Sequence, residues 1–185
     1  KIFSMDAAWA FTVAALLWVY LGIQKGQVTQ DGLTGLNNRR RLDQYMWELD
    51  ERSGERETCC YLLMDVNKFK KVNDTYGHVT GDEVLRLVAE QLKRTFGNMQ
   101  AFLARYGGDE FVVIVKGKTQ DEMDVIIHQT QENVNAIAWG ADTPWQLSIS
   151  IGCAMRGEQG KQKSHELLAL ADERMYRQKK GIQDR

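Results

Sequence analysis

The sequence predicts an α+β domain in which helices cover a mainly antiparallel sheet, with a separate apolar segment before it. The run Thr58–Val66 is almost continuously apolar, as is typical of a central strand. Two shorter apolar runs, Ala101–Tyr106 and Phe111–Val115, flank a double glycine and two acids, which predicts a hairpin. Together these three runs supply most of a sheet that helices can cover.

Periodicity defines the other elements. Apolar residues at helical spacing predict helices over Glu83–Phe96 and Thr119–Trp139. Gln146–Met155 alternates apolar and polar residues, which predicts a strand with one buried face. A closing helix is predicted over Ser164–Lys180, with Ser164 as its N-cap. The predicted order is therefore helix, strand, helix, hairpin, helix, strand, helix.

The segment Ala7–Ile23 contains no charged residue and carries aromatic residues towards both ends. At ~1.5 Å per residue a helix here would span about 25 Å, slightly less than the ~30 Å of a hydrocarbon core. Basic residues follow it, so we expect a transmembrane helix at 1–23, a linker at 24–30 and a cytoplasmic domain at 31–185. A signal-peptide core and a helix packed on a partner are the alternatives. Because the chain begins at Lys1, we expect it to be the C-terminal part of a longer protein.

The net charge and the cysteine pattern argue against bulk binding of nucleic acid and against a zinc site, and leave a local basic pocket as an alternative. The formal net charge of −1 argues against bulk electrostatic binding, so we expect no nucleic-acid partner. The three cysteines, Cys59, Cys60 and Cys153, form no CxxC pair. We expect them to be small buried hydrophobic residues in a reducing compartment, and we expect no zinc site.

Acidic residues follow the first strand and occupy the hairpin tip. Asp65 closes the strand, while Asp109 and Glu110 follow the two glycines of the turn. If the strands are neighbours, these carboxylates meet at one edge of the sheet, where oxygen ligands suit Mg²⁺ with substrate phosphates. Gly107 and Gly108 have no side chain, so a nucleotide can approach the backbone there. Two metal ions at such a site would support phosphoryl transfer.

Five motifs, in order, resemble those of one known family. RYGGDEF at Arg105–Phe111 is similar to the signature of the GGDEF family, the diguanylate cyclases. DGLTGLNNRR at Asp31–Arg40 resembles the family's N-terminal motif, and MDVNKFKKVNDTYGHVTGDEVL at Met64–Leu85 resembles its nucleotide-binding segment. SISIG at Ser148–Gly152 and ADERMY at Ala171–Tyr176 match its later motifs. The resemblance covers nearly all of the chain after the apolar segment.

The resemblance implies a metal site and a catalytic group. Asp65 and Asp109 are the implied ligands of Mg²⁺ or Mn²⁺, with the carbonyl of Val66 assisting. Asp109, Glu110 and Lys70 are the implied catalytic residues.

The resemblance also implies a GTP-binding site. Asn73 and Asp82 are implied to bind the guanine edge. The N1–H and N2–H₂ groups of guanine can donate hydrogen bonds to a carboxylate, whereas adenine has no such pair of donors and would leave Asp82 unpaired. An Asx turn at Asn73 and a helix N-cap at Asp82 are the alternatives. For His78 we expect a role in a turn or in packing. The implied substrate-binding residues are Phe69, Lys70, Asn73, Asp82, Gly107, Gly108 and Lys179.

Three sites depart from the family's pattern. Asn67 stands where members often have a second Asp, and Ile182 or Gln183 stands where they usually have an Arg that contacts phosphate. Asn98 and Ala101 replace the Arg and Asp of the product-binding site, so charge-assisted contacts to product cannot form there.

Together with the apolar segment, the resemblance implies a diguanylate cyclase anchored in the inner membrane of a bacterium. Two GTP molecules would condense into cyclic di-GMP and two pyrophosphates, in a homodimer of half-sites controlled by an upstream sensor region. A GTP-binding module without turnover is the alternative, because one phosphate contact is missing. A pure scaffold is a third reading, although it has no need for Asp65, Asp109, Asn73 and Asp82.

Overall fold

The computed structural model describes residues 9–18, 29–52, 58–139, 146–156 and 162–183. Four strands form one sheet in the order β2-β3-β1-β4, and every neighbouring pair is antiparallel. This confirms the predicted antiparallel sheet and the hairpin. The strands are β1 (Cys59–Val66), β2 (Ala101–Gly107), β3 (Glu110–Lys116) and β4 (Ile149–Met155).

Helices cover both faces of this sheet. Residues of β1 alternate between two cores, so Tyr61 and Leu63 face one side while Leu62 and Met64 face the other. The first core is closed by α1 and α4, and the second by α2 and α3. The helices are α1 (Arg39–Glu51), α2 (Phe69–Phe96), α3 (Gln120–Asn135) and α4 (Ser164–Gln183).

The fourth strand is buried on both faces, so the prediction of one buried face is wrong. Its polar positions are covered because α4 packs directly on them. A Cβ on Gly152 would lie only 1.9 Å from the carbonyl oxygen of Ala171, and Ser150 is fully buried. A small residue at position 152 therefore allows this close packing.

The second helix begins much earlier than predicted, at Phe69 instead of Glu83. Gly77 interrupts it with φ 83° and ψ 164°, a conformation that favours glycine. The polar stretch before the break has no apolar stripe, which is why periodicity missed it. The break turns the chain so that Gly81 of the second half packs against Phe69 and Asn73 of the first half.

The closing helix begins at Ser164, which is its first helical residue and is fully buried. The Asp50 carboxylate accepts from the Ser164 N–H at 3.0 Å and from its hydroxyl at 2.7 Å. Arg156 donates to Asp50 at 2.6 Å and to the Tyr61 hydroxyl at 3.2 Å. The helix terminus is thus fixed by α1 and not by the predicted serine cap.

The cysteines behave as predicted from their apolar surroundings. Cys59, Cys60 and Cys153 are buried and unbonded to one another. Burial raises the pKa of Cys60 to about 12 and that of Cys153 to about 11. Neither thiol is therefore a nucleophile at neutral pH.

Within the predicted transmembrane segment, only residues 9–18 are described, and they form an exposed helix. No helix in the described part of the chain has both the length and the apolar character needed to cross a membrane. The predicted membrane span is therefore not supported, and the rest of the segment, with most of the linker, lies outside the described residues.

Candidate active site

The site is centred on a buried carboxylate at the end of β1. Asp65 is 6% exposed and pairs in register with Glu110 of β3 and Ser150 of β4. The Lys179 ammonium of α4 lies 2.7 Å from its Oδ1. Burial, together with the charge of Asp109, raises the pKa of Asp65 above its usual value, although Lys179 opposes this. The structure therefore brings Asp65 and Lys179 together, as the predicted site requires.

The two acids of the hairpin adjoin Asp65. The backbone carbonyl of Asp109 accepts from the Val66 N–H at 3.2 Å, which ties the turn to the end of β1. Burial raises the pKa of Glu110, and the charges of Asp65, Asp109 and Asp172 raise it further. Asp172 belongs to the ADERMY motif on α4, but the sequence alone does not show that it lies near Glu110.

The donor set at this edge fits a divalent metal ion. In the described ranges, no three Asp, Glu, His or Cys side chains lie close enough to hold a metal by themselves. Mg²⁺ does not need such a cage, because it commonly binds one or two carboxylates together with water and substrate phosphates. Asp65 and Asp109 repel each other, and a cation with two positive charges would relieve that repulsion.

The hairpin turn is braced by an arginine. Arg105 donates to the Gly108 carbonyl through Nε at 3.1 Å and Nη2 at 2.7 Å. Its Nη1 lies 3.2 Å from Oδ1 of Asp31, which also accepts from the Thr34 hydroxyl at 2.7 Å. This arginine links the N-terminal motif to the turn that carries Asp109. Its position in the RYGGDEF motif was visible in the sequence, but its partner 74 residues away was not.

The backbone of the turn is open. Gly108 has φ 40°, which favours glycine, and a Cβ on Gly107 or Gly108 would contact nothing within 4 Å. No neighbouring atom of the described residues therefore blocks this part of the backbone, and the approach of a nucleotide there stays a prediction.

The turn between β1 and α2 is suited to phosphate. Lys68 has φ 59° and provides no side-chain cap for α2, so N–H groups in the first helical turn lack that partner. Lys68 and Lys70 are exposed beside this terminus. A helix N-terminus with nearby lysines attracts anions, which fits the predicted role of Phe69 and Lys70.

The two residues predicted to read guanine lie on either side of the break in α2, and Gly81, the chain neighbour of Asp82, packs against the Asn73 side chain. Asn73 lies in the first half of the helix and Asp82, which is exposed, in the second. Neither alternative is seen, because Asn73 makes no Asx turn and Asp82 lies inside the helix. The Oδ1 of Asn73 is buried without a hydrogen-bond partner, one of only two such side-chain atoms in the described residues. A buried acceptor without a partner in this position suggests that its partner is a ligand.

Asn67 has a local structural role. Its amide donates to the Ser148 hydroxyl at 3.1 Å and accepts from the Ser150 hydroxyl at 2.7 Å. Both polar atoms of Asn67 are therefore engaged with the SISIG motif, and they join the end of β1 to β4. His78 is exposed, and the side chains of Ile182 and Gln183 lie outside the described residues.

Comparison with known proteins identifies one family. A family model described as diguanylate cyclase, GGDEF domain, matches residues 28–185. Probable diguanylate cyclase DgcI of Escherichia coli (strain K12) is 38% identical over 156 residues, which cover 82% of this chain and 31% of that protein. Diguanylate cyclase DosC of the same strain is 34% identical over 161 residues, which cover 83% of this chain and 34% of that protein. The chain thus spans about a third of the length of these curated relatives.

Solved structures share the fold. The GGDEF domain of DgcB from Caulobacter crescentus, in complex with c-di-GMP, is 31% identical with a TM-score of 0.74. The match covers 84% of this chain and 92% of that one. A second structure of DgcB, with its coiled coil, matches with the same TM-score at 28% identity and covers 96% of this chain and 95% of that one.

The fold, the edge carboxylates and these matches define a nucleotidyl cyclase domain. The chain belongs to the GGDEF family of diguanylate cyclases, which confirms the resemblance seen in its motifs.

Proposed function

We propose that this domain condenses two molecules of GTP into cyclic di-GMP and releases two pyrophosphates. The observation that carries the proposal is the meeting of Asp65, Asp109 and Glu110 beside Lys179 at one sheet edge. These groups can position an α-phosphate and balance its charge, which is the main catalytic demand in phosphoryl transfer.

Each residue of the site has a task in this reaction. Lys70 and the uncapped terminus of α2 bind the triphosphate, while Asn73 and Asp82 orient the guanine. Asp65 and Asp109 would hold Mg²⁺ or Mn²⁺, which would neutralise charge on the phosphates and assist the leaving pyrophosphate.

The reaction needs two domains. The 3′-hydroxyl of one GTP attacks the α-phosphorus of the other, the bond to pyrophosphate breaks, and Glu110 accepts the proton of the hydroxyl. A second attack in the opposite direction closes the ring. Because one domain holds one GTP, the site is complete only in a homodimer, and assembly of that dimer is a point of control.

The proposal is tested with purified protein, GTP and MgCl₂, by measuring cyclic di-GMP and pyrophosphate. We expect both products from the wild type and neither from Asp65→Asn. Asp121→Asn, which changes an exposed acid of α3, is the matched control and should retain activity. Binding of GTP without product would favour the alternative, a regulatory GTP-binding module.

Membrane attachment is a separate proposal. The uncharged run Ala7–Ile23 and its aromatic ends support an anchor in the inner membrane, with the cyclase domain in the cytoplasm and a sensor region upstream. The test is fractionation of cells that express the chain with and without residues 1–23. Equal release of both forms into the supernatant after lysis contradicts an anchor.

A further inference from the structure

Gly81 stands directly against the side chain of Asn73. A Cβ built on Gly81 would lie 1.9 Å from Oδ1 and 3.0 Å from Cγ of Asn73, and 3.3 Å from Cζ of Phe69. Contacts below 3.0 Å force a displacement, and here the displaced group is the amide of Asn73. Gly81 is itself buried, so a side chain there has no route outward.

The backbone at Gly81 does not require glycine. Gly81 lies inside α2 and is not among the glycines with positive φ. Alanine is the better helix former at such a position, so glycine has a cost there. The clearance that it gives to Asn73 accounts for that cost.

The side-chain oxygen of Asn73 lacks a hydrogen-bond donor. Its Oδ1 is buried and unpaired, although buried polar groups are nearly always hydrogen-bonded. Guanine carries a 2-amino donor that hypoxanthine does not. A purine bound against this amide could donate that hydrogen bond only if the amide keeps the position that Gly81 allows.

We propose that Gly81 is a specificity-determining positioning residue, which holds Asn73 where it selects the 2-amino group of guanine. The inference rests on the proposed GTP-binding function and adds to it a discrimination between guanine and hypoxanthine nucleotides. Gly81 itself would not touch the nucleotide.

The test is a double-mutant cycle read by nucleotide binding. Wild type, Gly81→Ala, Asn73→Ala and the double variant are titrated with the α,β-methylene analogues of GTP and of ITP, in MgCl₂, by calorimetry. Loss of one hydrogen bond to a buried acceptor should change affinity about tenfold, so the wild type should prefer the guanosine analogue by about that factor. Gly81→Ala and Asn73→Ala should each reduce the preference to what Asp82 alone contributes, and the double variant should match Asn73→Ala because the clash is then gone.

Two controls separate positioning from folding. Gly181→Ala changes a helical glycine whose Cβ would meet nothing within 4 Å, and it should keep the preference. The melting temperature of Gly81→Ala/Asn73→Ala should be no lower than that of Asn73→Ala. In turnover, Gly81→Ala should raise KM for GTP towards that for ITP and leave kcat near wild type.

The outcomes are distinct. A Gly81→Ala variant that retains the wild-type preference overturns the positioning role. A double variant whose loss of preference equals the sum of the losses in the two single variants overturns it as well. A wild type that binds both analogues equally overturns the 2-amino contact but leaves the nucleotide site standing. A wild type that binds neither overturns the proposed function as well.

Discussion

Replacing Arg105 by methionine tests the brace between the N-terminal motif and the hairpin turn. The guanidinium makes two hydrogen bonds to the Gly108 carbonyl and an ion pair with Asp31, and the two charged side chains are only 17% and 22% exposed. Charged hydrogen bonds contribute ~1.5–3 kcal/mol when buried and less when exposed. Because the Gly108 contacts are exposed, we expect the free energy of unfolding to fall by about 2–3 kcal/mol in total, which corresponds to a fall in Tm of roughly 5–10 °C.

The assay is urea unfolding of wild type, Arg105→Met, Asp31→Asn and the double variant. The pair should show a coupling free energy of about 1 kcal/mol. Each single variant should also lose cyclase activity while still folded, because the turn that carries Asp109 is no longer fixed. A double variant whose loss is the sum of the single losses contradicts the brace.

The same pair predicts a dependence on pH. Partial burial alone would raise the pKa of Asp31, but hydrogen bonds from Thr34 and the charge of Arg105 outweigh it and hold the pKa below its usual value. A lowered pKa means that Asp31 stabilises the fold above its unfolded pKa of about 3.9 and loses this contribution as pH falls through the folded value. The difference in stability between wild type and Asp31→Asn should thus stay constant from pH 7 to 5 and shrink below about pH 4. A difference that grows on acidification contradicts the assignment.

Three further predictions concern the core, the product and the N-terminal segment. Gly152→Ala should lower the free energy of unfolding by about 1–3 kcal/mol, because the new Cβ would clash with the Ala171 carbonyl. An unchanged urea midpoint would argue against this close packing. Cyclic di-GMP added to the activity assay should not inhibit through the site at Asn98 and Ala101, and strong non-competitive inhibition that is lost on mutating Asn98 would refute this. Removing residues 1–23 should lower specific activity at dilute protein, with recovery on fusion to a dimeric coiled coil; activity that stays flat down to nanomolar concentration would show that the segment does not aid assembly.

The sheet was largely predictable because its strands are strongly patterned. The apolar run of β1 and the hairpin around Gly107 and Gly108 each combine a local signal with a turn signal, and both are confirmed. The strand order was not predictable, because it depends on contacts between distant segments.

Other features could not be predicted from the sequence because they depend on tertiary contacts between distant segments. The polar start of α2 has no apolar stripe, and Ser150 in β4 reads as a surface position until α4 is seen to cover it. The residues proposed to bind the metal and the guanine could be predicted from motifs. The partners of Arg105 and the clearance at Gly81 could not, since each depends on how two segments meet in space.

The stoichiometry of the products tests the central claim most directly. Purified protein is incubated with limiting GTP and MgCl₂, and cyclic di-GMP and pyrophosphate are quantified over time at several protein concentrations. Two half-sites that each transfer one guanylyl group predict two pyrophosphates for each cyclic di-GMP, with specific activity that falls as the protein is diluted below its dimer affinity. Bound GTP without cyclic di-GMP, or specific activity that does not change under conditions where the protein is measured to be monomeric, would contradict the account.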